Sequence, residues 1–575
     1  MLSEPETVGA TSEPQPATRT PPSGHSVRAR SQAKFGRLDV LAIVGLFAAA
    51  VIARRNVLPH DGLFGDDAWQ ALGAAKGSLG NFITVGFSAP GFTAALMVWH
   101  RVIGAPEKMA DLAFAAGVLT PAVVYVLLRR FGYERSICLL VGAAIASESM
   151  NIEYSGRVKS YVIDALVVLA FAALLPRIVR VHFGRREATL WIVGSFAVGF
   201  FSPFALVAAV VAGIILLLRP AGDRAMRVVA VGGQGVLALA LSLAVSRTYN
   251  ARSLELWWKR NYDGIVGFDL QPLRFVSSVA THLRRVAAVF SGGPAWWATL
   301  ILTTALLALA VDARVRHRSA RALRAQYLLL LLLLALAASV ASVLPLGPTA
   351  AGMRLSLWLV PIFAIGIASA LQWARTAVSG RHVARIGFDA AAVIVSVFLV
   401  AGASNGGPRY PLSGSRSATQ FVERQLSTDD AVFIENDGGV YPYAVASHLH
   451  VVLVPHHAKV AFKPDIRDHR FHYIAFTGNL GTELLLTTSS DAGHPTEIVG
   501  AIGGAHRVFL YVEAMSGAVR RGSLAFGIVL RRLGFTPGHD TRFDNAHVTV
   551  WQRSAPESVL SPGGVPAAGH ALDRE

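Results

Sequence analysis

Cysteine is almost missing from this chain: Cys138 is the single one in 575 residues, and it lies in an apolar run. One thiol excludes a disulfide framework and a thiolate metal cluster. Charge is scarce too. Asp, Glu, Lys and Arg make up 15% of the residues, where soluble domains carry about a quarter. Acids are the rarer sign, 36 against 53 Lys and Arg, for a net charge of +17. That excess does not point to nucleic acid, because the arginines gather in short loops between apolar runs, where they orient membrane spans. No P-loop, G-x-S-x-G or H-E-x-x-H motif occurs, and no glycine-rich dinucleotide fingerprint follows a strand-like run. The histidines at 448, 450, 456 and 457 match no ligand spacing for a metal and read as a histidine-rich surface.

What the chain has in abundance is apolar sequence, 53% of its residues. Runs long enough to cross a bilayer, about 20 residues each, lie near 38–56, 109–128, 136–152, 161–179, 188–204, 205–219, 228–246, 295–312, 325–345, 355–373 and 386–403. The chain therefore reads as a polytopic α-helical membrane protein of about 11 spans. A further run, 90–104, is short and carries Trp99, His100 and Arg101. Loop charge decides its status. If it does not cross and the N-terminus is cytoplasmic, five loops holding Arg129 and Arg130, Arg180 and Arg185, Arg224, Arg316 and Arg318, and Arg381 all face inward, as positive charge prefers. The run is thus expected to be interfacial or re-entrant, in a multi-pass protein of the cell membrane. Arg54 and Arg55 oppose the rule and are outvoted.

Residues 1–37, rich in Pro, Ser, Thr and Glu and then basic, read as a disordered cytoplasmic N-terminus. The run at 38–53 leads straight into Arg54 and Arg55, so it reads as an uncleaved first span. Residues 38–403 form the transmembrane domain. Beyond them the sequence changes character. "DDAVFIEN", "HVVLVP", "HYIAF", "RVFLYVEA" and "HVTVWQ" read as strands. "ATQFVERQL" and "SGAVRRGSLAFGIVLRRLG" read as helices, the second ended by Gly534. Alternation of the two predicts a C-terminal extracytoplasmic α/β domain over 404–553, followed by a disordered tail, 554–575.

This topology puts several polar segments on the outer side, and each has a bland reading beside the functional one. Asp66 and Asp67 in "LFGDDAWQALGAAKG" start a short amphipathic pattern. Acids favour helix starts, yet a carboxylate near the bilayer can also act as a general base or bind a divalent cation, magnesium or manganese, through oxygen. The residues fix no cofactor. Arg157 and Lys159 in "NIEYSGRVKSYVID" sit where two spans meet, beside Tyr154, Tyr161 and Asp164. Two cations there suit a phosphate, while snorkelling to the interface is the plain alternative. Asp164 lies one turn inside the membrane and needs a partner, for which Lys159 or Arg157 is the candidate. Arg354 opens a late span in "LPLGPTAAGMRLSLWLVP" and serves equally as a phosphate donor group or a span anchor. The loop 247–294, with Trp257, Trp258, Lys259 and Arg260, marks the membrane interface.

Taken in order, these segments resemble the GT-C membrane glycosyltransferases, most closely the family 39-like branch (dolichyl-phosphate-mannose type) in its actinobacterial form. "LFGDDAWQALGAAKGSLGNFI" is similar to that branch's acidic segment after the first span, with Asp67 in place of the usual Glu. "APGFTAALMVWHRVIG", "GVLTPAVVYVLL" and "RRFGYERS" resemble the interfacial helix, span and basic turn that follow, and "EYSGRVKSYVIDAL" the tyrosine-serine segment. "PLGPTAAGMRLSLWLVP" resembles the late Arg-led span, and "ATQFVERQLSTDDAVFIENDGGVYPYA" the start of the outer domain. The chain departs from the pattern twice: "FSAPGF" replaces a His-Pro-Pro or Lys-Pro, and Arg157 stands where many members carry Glu.

The resemblance implies a polyprenyl-phosphate-linked sugar as donor and a glycan, lipid or protein acceptor, with inverting transfer at the outer face of the membrane. It implies Asp66 and Asp67 as catalytic acids, which can hold a divalent cation though the chemistry does not require one, and Arg157, Lys159 and Arg354 as groups on the donor phosphate. Tyr154, Tyr161 and Asp164 would support the substrate site. Two other classes fit the composition. A transporter or flippase of lipid-linked glycans would show internal repeats and mid-membrane polar groups, and no repeat is seen. A non-catalytic scaffold on the same fold remains the other alternative.

Overall fold

The computed structural model describes residues 35–77, 89–219, 223–248, 272–291, 295–315, 319–340, 354–378, 380–406, 409–411, 413–435, 439–456, 461–476, 484–487, 492–493, 495–513 and 517–554. Most of the N-terminal segment, the tail after 554, the tryptophans and cations at 257–260 and the glycine-rich stretch before Arg354 lie outside them.

Among the described residues up to 406, apolar sequence becomes helix, because a helix satisfies its own backbone donors and acceptors where water is absent. The helices are α1 (Arg37–Arg54), α2 (Gly65–Lys76), α3 (Pro90–Ile103), α4 (Asp111–Arg130), α5 (Arg135–Ser147), α6 (Ser149–Ser155), α7 (Tyr161–Ile178), α8 (Arg185–Phe201) and α9 (Pro203–Leu218). They continue with α10 (Arg224–Thr248), α11 (Pro272–Ser291), α12 (Ala295–Val315), α13 (Ala320–Val340), a 3-10 turn at Arg354–Leu359, α14 (Val360–Ala377) and α15 (His382–Gly406). Every one of the 11 apolar runs coincides with a helix. Among the described residues seven are long and apolar enough to cross a membrane, α4, α7, α10 and α12 to α15, or eight if α5 and α6 form one bent span. Helix α3 has 14 residues, fewer than a span needs.

The bend between α5 and α6 is 57° and has a local cause. Glu148 is extended there, and its buried carboxylate accepts the Met150 and Asn151 N–H groups at 2.8 and 2.6 Å, capping α6. The carbonyl of Ala146 left over by the break is taken by Arg54 at 3.1 Å. Arg54 also donates to Ser155 Oγ at 3.0 Å and is fully buried. Its conflict with the loop-charge rule is thereby explained: this arginine fills a helix break and does not sit at the membrane surface. At the opposite end of α1, buried Asp39 collects Tyr125 Oη, Arg129 Nε and Arg135 Nη2, each within 2.9 Å. The basic turn after α4 is thus pinned to the first helix. Helix α11 falls inside what reads as a loop, since Arg284, Arg285 and His282 dilute its apolar positions.

The chain after 409 forms the α/β domain expected from the alternating pattern. Its helices are α16 (Ser415–Gln425), α17 (Val440–Ala446), α18 (Pro495–Ile502) and α19 (Gly517–Arg532). The strands are β1 (Asp430–Glu435), β2 (Val451–His456), β3 (Ala461–Ile466), β4 (Phe471–Phe476), β5 (Leu484–Thr487), β6 (Ala492–Gly493), β7 (Arg507–Glu513), β8 (Phe535–Phe543) and β9 (Ala546–Arg553). Seven strands make one mixed sheet in the order β6-β5-β4-β1-β7-β9-β8, with β4, β1 and β7 parallel, while β2 and β3 pair separately. Side chains alternate across the sheet. Phe433, Val508 and Leu510 pack on Phe526 and Leu530 of α19. Val432, Ile434, Phe509 and Tyr511 face the other way, into a core shared with Leu63, Ala68, Leu72 and Phe92 of the α2–α3 region. Bundle and sheet domain are joined by that common core.

One buried acid in the domain is set up to read pH. Glu513, 2% exposed at the end of β7, accepts Ser413 Oγ at 2.7 Å. Burial, with Glu435 adding to it, pushes its carboxyl from 4.5 up to about 8, against the opposing bonds from Ser413 and Tyr511. The folded state therefore holds a proton that the unfolded chain has released, so stability falls as pH rises from about 4.5 to 8 and is flat above. Thermal melts of the full chain across that range are expected to decline for wild type and to decline less for Glu513→Gln. Identical slopes would mean that Glu513 is ionised throughout.

Candidate active site

Helix α2 is positioned by a tight approach at its entrance. Gly62 has φ +91°, and a Cβ there would lie 1.9 Å from Ser415 Oγ. Only glycine permits that conformation next to α16. Phe64 stands at the N-cap with no side-chain cap bond, so neither acid caps the helix. Both Asp66 and Asp67 occupy the first turn, where the helix dipole favours negative charge. The small residues Ala68, Ala71 and Ala74 bury one face, Gln70 Nε2 donates to Thr93 Oγ1 of α3 at 3.1 Å, and Trp69 meets Tyr441 of α17 with ring centres 5.5 Å apart. The acid pair consequently sits at the junction of bundle and sheet domain.

Asp67 is 1% exposed and its two oxygens receive three donors. Oδ2 accepts Arg157 Nη1 at 3.0 Å and Tyr410 Oη at 2.9 Å, and Oδ1 accepts the Val158 N–H at 3.1 Å. Tyr410 Oη in turn accepts the Phe64 N–H at 3.0 Å, and its own N–H donates to the Asn56 carbonyl at 3.0 Å. Arg157 also pairs with Glu153 at 3.3 Å and lies over the rings of Tyr410 and Phe64, at 5.3 and 5.7 Å. Burial is the largest influence and would lower the Arg157 pKa, but the charges of Asp67, Tyr410 and Glu153 and the hydrogen bond to Asp67 together hold it above its ordinary value. Burial and Asp67 together raise Tyr410 well above the usual phenol range. The turn carrying Arg157 is fixed by Gly156, where a Cβ would fall 1.7 Å from the Val57 carbonyl oxygen.

This geometry sorts the residues anticipated from sequence. Arg157, expected on a phosphate, is committed to two carboxylates. Asp67 faces a guanidinium and two further donors. No group of three or more His, Cys, Asp or Glu arranged for a metal occurs among the described residues. Asp66, its neighbour on the helix, is half-buried and turned about 100° from Asp67 by helical geometry. Lys159 is buried between α6 and α7, and Tyr154 meets Tyr161 edge-on at 5.6 Å. The expected partner of Asp164 is corrected. Its carboxylate receives the Ser202 hydroxyl from the α8–α9 junction, not Arg157 or Lys159. Arg354 opens the 3-10 turn, whose Trp358 is buried and stacks on Phe204 at 4.3 Å; the Arg354 side chain lies outside the described residues. Tyr410 was not legible in the sequence, being one aromatic in an irregular segment.

The bundle, the short helix with its acids and the appended sheet domain agree with the fold that the GT-C resemblance implies. In particular, the chain is similar to ArnT from Cupriavidus metallidurans. The apo structure matches with TM-score 0.52 and 11% identity over 89% of this chain and 97% of that one. The structure bound to undecaprenyl phosphate matches with TM-score 0.51 and 12% identity over 92% and 99%. No protein-family model and no curated protein sequence matches the chain.

The pair at the centre makes a direct prediction. Removing one partner of a buried ion pair strands the other charge, at a cost of about 3–5 kcal/mol. Arg157→Ala is expected to lower stability by that order, Asp67→Asn by less, and the double variant by less than the sum. A double-mutant cycle by thermal or denaturant unfolding checks it, and additive losses would show the pair to be uncoupled.

Proposed function

We propose that this protein transfers a sugar from a polyprenyl-phosphate donor to an acceptor hydroxyl, with inversion, at the membrane face that carries the sheet domain. The observation that carries this reading is the placement of the α2 acids at the bundle–domain junction, where Asp67 is bonded to Arg157 and Val158 of the turn that also carries Lys159, in a fold similar to ArnT over nearly the full length of both chains. That neighbour was also solved with undecaprenyl phosphate bound, the class of carrier assigned here to the donor.

In this reading Asp66 is the base. It holds the acceptor hydroxyl and takes its proton as the oxygen bonds to the anomeric carbon. The bond from that carbon to the phosphate oxygen breaks, and its electron pair leaves on the lipid phosphate. Lys159 and Arg354 stabilise the charge growing there. Asp67 acts through position: tied to Arg157 and Tyr410, it sets the first turn of α2 and hence the direction of Asp66. No step passes through a metal.

The test is transfer of label from polyprenyl-phosphate mannose, arabinose and glucose in membranes carrying the full chain. Wild type is expected to use at least one donor. Asp66→Asn should lose about 100-fold or more in kcat at an unchanged melting temperature, the range for removal of a general base. Asp67→Asn should lose activity together with melting temperature. Indifference to Asp66, or no transfer by wild type from any donor, would sink the reading.

A further inference from the structure

A polar cavity of about 390 Å³ opens between the last turn of α1 and the last turn of α15. Its polar lining is Arg55, Asn56, Ser404, Asn405 and Arg409, with no carboxylate. Arg55, Asn56, Asn405 and Arg409 are exposed, and neither arginine pairs with an acid among the described residues. Four carbonyls nearby are already engaged. Ile52 and Arg54 accept the N–H groups of Arg55 and Val57, Asn56 accepts Tyr410, and Val400 accepts the Ser404 hydroxyl at 2.8 Å. The side chains it offers an occupant include two guanidiniums and two amides. Each helix C-terminus contributes about half a negative charge, so the two arginines leave the cavity net positive.

The surroundings identify the occupant. Val51 and Ile52 of α1 and Ile394, Val397 and Phe398 of α15 are exposed apolar side chains on the same two helices, from 36% to 72% exposed. A ligand with a phosphate in the cavity has an apolar surface beneath it for hydrocarbon. A planar guanidinium fork matches phosphate oxygens, and basic pockets between membrane helices hold anionic headgroups. The volume falls in the range of small-ligand sites, about 300–1,000 Å³.

We propose that Arg55 and Arg409 form a second phosphate site, separate from the glycosyl-transfer site, that takes the headgroup phosphate of an anionic bilayer lipid. The two sites are linked by one hydrogen bond, Tyr410 N–H to the Asn56 carbonyl. The lipid would thus brace the segment whose tyrosine holds Asp67. The proposal does not depend on the transfer reaction.

The experiment is native mass spectrometry of the delipidated full chain titrated with phosphatidylglycerol, phosphatidylcholine or inorganic phosphate. Wild type is expected to prefer phosphatidylglycerol over phosphatidylcholine by about tenfold, or 1.4 kcal/mol. The double variant Arg55→Gln, Arg409→Gln should lose that preference, and Arg55→Lys, Arg409→Lys should keep part of it. If the Gln double melts lower before lipid is added, each single Gln variant is to show a smaller loss of the same preference. Equal retention of both lipids by wild type, or an undiminished preference in the Gln variants, overturns the site. Inorganic phosphate raising the melting temperature through the same arginines, with phosphatidylglycerol inert, keeps the phosphate chemistry and overturns the lipid as its source.

Discussion

Asp67 and Arg157 form a nearly dry ion pair on which the arrangement of the rest depends. Each charge alone would be costly where it sits, since the carboxylate is 1% exposed and the guanidinium 12%. Together they are tolerable because most of the remaining valences are filled, by Val158 N–H and Tyr410 Oη on the acid and by Glu153 and two aromatic faces on the arginine, while Arg157 Nε alone of its nitrogens is buried without a hydrogen bond among the described residues. The pair draws four stretches of chain to one point: the entrance of α2, the turn before α7, the end of α6 and the segment after α15. A pair with this many obligations fixes register more than it adds net stability.

The sheet domain is held to the same place by apolar contact. The α2 helix has its small-residue face in the core that Val432, Ile434 and Phe509 close from the sheet side. Polar stitches run alongside: Asp61 Oδ1 accepts the Ser417 N–H at 3.1 Å, and Arg416 pairs with Glu107. A helix of 12 residues is too short to stand alone in water. Here it is stable because it is sandwiched between two domains, and the residue bearing the proposed base inherits that rigidity.

Much of the fold could be read from the sequence because burial in lipid and burial in a sheet both leave periodic signatures. Continuous apolar runs marked the spans, and short β-branched runs marked β1, β2, β4, β7 and β9. Strand β8 escaped because "FTPGHDTRF" is an exposed edge with Pro537, Gly538 and a register shift between Pro537 and Asp540. Helix α11 escaped because its polar face masks its apolar one. At the site, the positions of interest were visible but not their pairings. Sequence showed Asp66, Asp67, Arg157 and Asp164 as costly groups needing partners. It did not show that Tyr410 and Ser202 supply some of them, since such contacts follow from tertiary packing and have no local period.

Tyr410 lies 343 residues beyond Asp67 in the chain. Until the ribosome has made the last span and the segment after it has reached the same face of the membrane, Asp67 lacks one of its donors and α2 lacks its cover. Synthesis therefore imposes an order of events: the bundle can gather while the junction stays unassembled. The junction of bundle and sheet domain is therefore among the last parts of the chain to close, because one of its donors is made 343 residues after the acid it serves.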